Sequence, residues 1–316
     1  MTALAAPADR HGPYRPAIPL PDPVLGFYGP GSAMWRVNRE AVLLAAGQAA
    51  LLLQIAHPHV AEGVAQHSDF EADPWRRLRG TLRTTLDLVF GDGPAAERAV
   101  RRLNTIHARV RGEAADPLAR KVAGPAYHAL DPELLLWVQA TLIVTGFEAY
   151  ERWVGPLDDV DREELWQDAR RVGQRLGIPL DRSPADWPAL EAYWIAMLAP
   201  GGPIQVTPTA RRLARRIVRP PVPFLPALVV DALATPGLAL LPTRLRVAYG
   251  LAWHPARGLL AGIGDALLRA WVSLVPASWR AMPQARAAER RALVAERLTR
   301  AAERLARPDT IASDRH

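Results

Sequence analysis

DPELLLWVQATLIVTGFEAY, residues 131 to 150, is the stretch on which the fold class turns. Asp131-Pro132 has the chemistry of a helix start, a carboxylate to cap free amides followed by a proline in the first helical position. Between Glu133 and Glu148 lie 14 uncharged residues, Leu134 to Phe147. A bilayer span needs roughly 20, and Gln139, Thr141 and Thr145 interrupt the run, so the reading is a buried core helix. Ala41 to Ala56, 16 uncharged residues between Glu40 and His57 with Gln48 and Gln54 inside, reads the same way. A third apolar stretch, Val222 to Leu241, is broken by Pro223, Pro226, Asp231 and Pro236.

Outward from these runs, helical periodicity recurs and no convincing period-two segment is found. Helices are expected over Trp35–Ala56, Val60–His67, Trp75–Phe90 (opened by Asp73-Pro74), Ala95–Arg111, Pro132–Tyr150, Asp161–Gly177, Pro184–Leu198, Pro208–Val218 and Pro255–Leu274. A Pro-rich connector covers Pro220–Pro226, and a solvated Arg/Glu-rich terminal helix covers 284–307. The expectation is an all-α chain: a Pro-rich arm at 1–24, then one large helical domain at 25–316. The arm has no apolar run of signal-peptide length, so the default address is the cytoplasm.

Composition narrows the chemistry. Of 39 basic side chains Lys121 is the only lysine. With abundant Ala, Leu and Pro, this reads as the codon bias of a GC-rich genome, and the net charge of +7 is not taken as a nucleic-acid signature. There is no cysteine, which removes disulfides, zinc–thiolate sites, iron–sulfur clusters, cysteine nucleophiles and thiolate-ligated haem together. No Gly-x-Ser-x-Gly elbow, P-loop or dinucleotide fingerprint is present.

Three places remain where chemistry could reside. On the helix 95–111, Val100, Leu103, Ile106 and Val110 define an apolar stripe, and His107 points inward with them. It is either a core histidine hydrogen-bonded to a carbonyl or a metal or haem ligand. Arg111, one turn on, would lie above it and suit a haem propionate. The second place is Gln54-Ile55-Ala56-His57-Pro58-His59, with His67 downstream; His57 closing the first helix is preferred there to a mononuclear metal site. In the third, Arg77 and Thr81 share a helix face beside the small Gly80. A threonine hydroxyl there could hydrogen-bond dioxygen, or the segment is ordinary helix surface.

An ordered set of motifs spans most of the chain. It comprises Leu53-Gln54-Ile55-Ala56-His57-Pro58, Val64-Ala65-Gln66-His67-Ser68-Asp69-Phe70, Arg77-Leu78-x-x-Thr81, His107-x-x-x-Arg111, Gly124-Pro125-Ala126-Tyr127, Asp131 to Val138, Leu241-Pro242 and Leu245-Arg246. Together these resemble the MpaB-type oxygenases, the family that includes the latex-clearing proteins (rubber oxygenases), over roughly Tyr28 to Trp279. The resemblance implies a globin-related helical fold enclosing haem b, with His107 as proximal ligand, Arg111 beside it, and Arg77 and Thr81 on the distal side. This sequence departs from the latex-clearing pattern at Asn104, where an arginine is usual, and at Gly80, where a lysine is usual. Glu62 is the nearest counterpart by position of the family's catalytic glutamate. The function so implied is a haem b oxygenase using O2 on a small, largely apolar or unsaturated substrate. The alternatives are a haem sensor or carrier without turnover, and a cofactor-free helical protein of membrane surfaces. No nucleic acid or obligate protein partner is expected; peripheral membrane contact stays open.

Overall fold

The computed structural model describes residues 20–68, 73–220 and 226–306; residues 1–19 of the expected arm and most of the expected connector lie outside them. Their secondary structure is almost wholly helical. Chain order runs α1 (Ala33–Asn38), a 3-10 helix (Ala41–Ala46), α2 (Gly47–Ile55), α3 (Pro58–His67), α4 (Pro74–Phe90) and α5 (Gly93–Arg109). Strand β1 (Arg111–Glu113), α6 (Pro117–Ala123) and strand β2 (Ala126–His128) follow. Then come α7 (Pro132–Trp153), α8 (Asp159–Arg175), α9 (Trp187–Leu198), α10 (Pro208–Val218), α11 (Ala227–Leu238), α12 (Thr243–Ala248), α13 (Pro255–Leu274), α14 (Ala277–Arg280) and α15 (Pro283–Ala306).

The helix starts are local chemistry. Asp73, Asp92, Asp116, Asp131 and Thr207 each accept a hydrogen bond from a first-turn amide, and each is followed by a proline in the first turn. These caps satisfy donors that have no partner within the helix.

α7 lies at the centre, and its side chains enter three apolar clusters. Leu135, Leu136, Ala140 and Val144 join Trp35, Trp166 and Trp187 in the first. Trp137 joins Leu52, Leu213 and Leu238 in the second, and Ala149 and Trp153 join Val42 and Val272 in the third. Glu148 stands on the same helix, and burial pushes its carboxyl up to about 7 against the opposing pull of Arg152.

Four expectations are corrected. The helix expected over Trp35–Ala56 is broken at Arg39–Glu40, because Glu40 is extended, bridges Ala281 and pairs its buried carboxylate with Arg280 at 3.0 Å. The helix expected to reach Arg111 closes at Arg109, because Arg111–Glu113 pair antiparallel with Ala126–His128; this small ladder was not foreseen. His57 caps the start of α3 rather than the end of α2: its Nδ1 accepts the amide of His59 at 3.2 Å, with Pro58 in the first helical position. Finally, the terminal helix is not wholly solvated. Ala285 and Ala288 of α15 are buried, and Arg291 donates to the carbonyls of Val24 (2.6 Å) and Phe90 (2.8 Å).

Two glycines allow α11 to lie close to its neighbours. A Cβ on Gly237 would overlap the carbonyl of Ala45, and one on Gly264 of α13 would overlap the Pro236 ring. By contrast, a Cβ on Gly262 would meet nothing. The same substitution therefore has opposite signs: Gly237→Ala is expected to lower stability by about 1–3 kcal/mol, and Gly262→Ala to raise it by about 0.5–1 kcal/mol, read by thermal unfolding followed by circular dichroism.

Burial, with His59 nearby, pushes His57 down to about 4. The folded state thus prefers the neutral ring, whose Nδ1 is the cap acceptor. Its contribution is complete above pH ~6.5 and is lost as pH falls towards 4, an effect of about 3 kcal/mol. His57→Asn keeps a capping oxygen and removes the titration, so its thermal midpoint should fall less than that of the parent chain between pH 7 and pH 4 (about the limits of this window). Parallel curves would contradict the assignment.

Candidate functional site

α4 and α5 form an antiparallel hairpin closed by Gly91-Asp92, so the last turns of α5 lie beside the first turns of α4. This brings His107 to the end of the hairpin where α4 starts, with Gly80 and Thr81 further along α4 towards its middle. His107 is half-buried on the same face as Val100, Leu103 and Val110, as periodicity indicated; Ile106, expected in that stripe, is 40% exposed. Trp75 and Leu78 of α4 are also exposed at this end. Exposed apolar side chains thus stand on both helices of this hairpin, and a Cβ on Gly80 would meet nothing. Thr81 is exposed, with its hydroxyl available, while Thr84 returns its own to the Gly80 carbonyl at 2.9 Å. The backbone of Arg77 lies on this segment of α4; its side chain is outside the described residues.

Arg111 is not where a continuous helix would put it. With α5 ended at Arg109 and Val110 turned out of helical geometry, Arg111 begins β1, exposed and paired with His128. The reading of Arg111 one turn above His107 is corrected, and with it goes the geometric ground for pairing Arg111 with a propionate. Asn104 donates to the carbonyl of Arg175 at 3.0 Å and so ties α5 to α8.

The ladder leads into a second polar neighbourhood, on α3. Gly63 of α3 faces Val110 and Tyr127; a Cβ there would sit 3.3 Å from Val110 Cγ1. Around it Glu62, Gln66 and Tyr127 are joined in series. Glu62, 1% exposed, accepts at Oε2 from the amide of Ala115 (2.7 Å) and from Gln66 Nε2 (2.9 Å). The Tyr127 hydroxyl donates to Gln66 Oε1 at 2.9 Å and lies 3.1 Å from His67 Nε2. Burial and the Glu62 carboxylate raise the Tyr127 hydroxyl, keeping it a donor at neutral pH. His59 Nε2 donates to the carbonyl of Gly124 at 2.9 Å, just past Lys121, which is exposed on α6. These histidines are held by caps, carbonyls and a phenol. Among the described residues, no three His, Asp or Glu side chains converge as metal ligands.

Sequence reasoning placed His107 correctly on its helix but assigned no role to Tyr127, Gln66 or His128. The signal for Tyr127 was its place in the Gly124-Pro125-Ala126-Tyr127 motif. Nothing local reveals that its hydroxyl reaches back some 60 residues to α3.

The model of the catalytic domain described as "ER-bound oxygenase mpaB/B'/Rubber oxygenase" matches residues 35–277. Among curated proteins, uncharacterized proteins of Mycobacterium bovis (Mb2261) and Mycobacterium tuberculosis (Rv2237) are each 32% identical over 150 residues. Those matches cover 46% of this chain and 55% of each relative, so the chain spans about half the length of the curated relatives it matches. No solved structure matches. With the match covering most of the chain, the chain belongs to the mpaB/rubber oxygenase catalytic-domain family.

Proposed function

We propose that this chain is a haem b-dependent oxygenase that uses O2 on a small, largely apolar or unsaturated substrate, with His107 holding the iron. Membership of an oxygenase family supports the reaction class. The observation that carries the cofactor and site reading is the open end of the α4–α5 hairpin. There a half-buried histidine of α5 lies on the helix that pairs with α4, and α4 carries exposed Thr81, Trp75 and Leu78 and a glycine with free space beside it.

The residues present fit such a group. A flat apolar macrocycle would cover side chains that otherwise face water, a gain of about 25 cal/mol per Å². With no cysteine in the chain, imidazole is the natural ligand. Haem b, when bound, supplies a redox-active iron for reaction with O2. The chain's own residues do the rest. His107 would anchor the iron, and the Thr81 hydroxyl would donate a hydrogen bond on the side where Gly80 leaves room. The apolar frame would orient an apolar substrate and exclude water. Arg77 would add positive charge on the same side, a role carried by the family resemblance.

A haem carrier or sensor without turnover is the second reading, and Glu62 favours it. One oxygen of this nearest counterpart to the family's catalytic glutamate holds the Ala115 amide and Gln66, deep beneath α3.

Protein purified from haem-replete cells should show a Soret band that His107→Ala removes while the far-ultraviolet helical signal is kept; a colourless parent protein would overturn the haem reading. In the loaded protein Thr81→Val should leave haem content unchanged and slow O2 uptake with unsaturated substrates about tenfold, the scale of one lost hydrogen bond. A stable ferrous–oxy form inert to every substrate offered would decide for the carrier.

A further inference from the structure

We propose that the outer face of α11 and α13 docks on the surface of an anionic phospholipid bilayer. Leu259, Ile263, Leu267 and Leu274 recur at spacings of four, four and seven residues along one side of α13, and Leu228 and Leu233 stand on the adjoining α11. All are exposed, Leu267 at 65% and Leu274 at 83%. Among the exposed residues of α13, only Arg269 and Ser273 are polar. Single exposed leucines are ordinary on protein surfaces, but a row of four exposed aliphatic residues along one side of a helix is not.

The polarity of this helix pair is inverted. Its acids are turned inward: Asp231 of α11 takes Arg257 Nη2 at 3.1 Å, and Asp265 of α13 takes Arg152 Nη2 at 2.6 Å and Trp153 Nε1 at 2.8 Å. The buried side holds the ionic groups and the outer side holds the aliphatic ones. No carboxylate of either helix is left outside to repel a negative surface.

A basic cluster is also present. α10, which precedes α11 and packs with it on α2, exposes Arg215, Arg216 and Arg219. With Arg212 they line a surface hollow of about 430 Å³. The chain carries a net charge of +7. Amphipathic helices that lie in the plane of a membrane join these two features, an apolar face sunk at the headgroup boundary and cations meeting anionic lipid. α13, about 30 Å long, would lie along the surface. Among the described residues no single helix is long and apolar enough to cross a membrane. A second copy of the chain is the poorer occupant, because pairing α13 with its own image sets Arg269 towards Arg269 with no acid on the face to offset it. The inference does not depend on haem.

Co-sedimentation of the full chain with phosphatidylcholine vesicles, with and without phosphatidylglycerol, tests the proposal. Partitioning should rise about tenfold or more with the anionic lipid and weaken at about 0.5 M salt. Ile263→Glu with Leu267→Glu should reduce it about tenfold at an unchanged thermal midpoint. If that pair fails to fold, Leu274→Glu at the exposed helix end takes its place. Arg215→Ser with Arg216→Ser should erase most of the preference for phosphatidylglycerol. The proposal is overturned if the chain ignores both vesicles, if the glutamate variants bind like the parent, or if equilibrium sedimentation shows a dimer that those variants dissolve while vesicle binding is unaltered.

Discussion

A helix that is apolar around most of its circumference must be enclosed on most sides, and α7 is such a helix, with Leu142 the one exposed residue between Leu134 and Phe147. Its successive faces send Leu136, Trp137 and Trp153 into three different clusters. It packs directly against α1 and α8, against α2, and against the 3-10 helix and α13. The layers of the molecule are the solutions to covering one central rod. Trp137 adds direction as well as bulk, because its indole donates to the Leu53 carbonyl at 3.2 Å and so fixes where α2 ends.

Buried carboxylates set the long-range geometry around that rod. Glu40 holds Arg280, Asp265 holds Arg152 and Trp153, and Asp168 accepts the amide of Met34. Burying an acid without partners is expensive, so each admits essentially one arrangement of the helices it joins. Such pairs are weak sources of net stability and strong sources of specificity in principle. In α13 this requirement dictates which side faces out: once Asp265 is tied to the last turn of α7, the stripe from Leu259 to Leu274 has nowhere to go but the surface.

What could be read from the sequence follows the range of the responsible interaction. Asp73-Pro74, Asp131-Pro132 and Thr207-Pro208 start helices through a cap and a ring a few atoms away, so those starts were legible. α13 and the buried character of α7 were legible from composition and period alone. The break at Glu40 was not, because its cause is Arg280, 240 residues later. Nor was the end of α5, where pairing with Ala126–His128 outcompetes continued helix. The candidate site divides in the same way. His107 on the half-buried face of α5 follows from spacing. The displacement of Arg111 and the linkage of Tyr127 to Gln66 and Glu62 depend on how α6 returns the chain, which no local pattern encodes. His57 stood between these cases: its capping role was seen, but it was assigned to the helix before rather than the helix after.

Lys121 gives the molecule an experimental handle of a different kind. It is the chain's single side-chain amine, exposed on the last turn of α6, three residues before the glycine whose carbonyl receives His59. An amine-selective fluorophore or spin label would therefore attach to one side chain in 316 residues without engineered cysteines. That label would sit at the rim of the Glu62–Tyr127 network, within a short chain distance of the α5–β1 junction. The arginine bias that obscures the meaning of the net charge also leaves one side chain open to amine acylation, so with the α-amino group blocked, local motion beside the candidate site can be followed from a probe on Lys121.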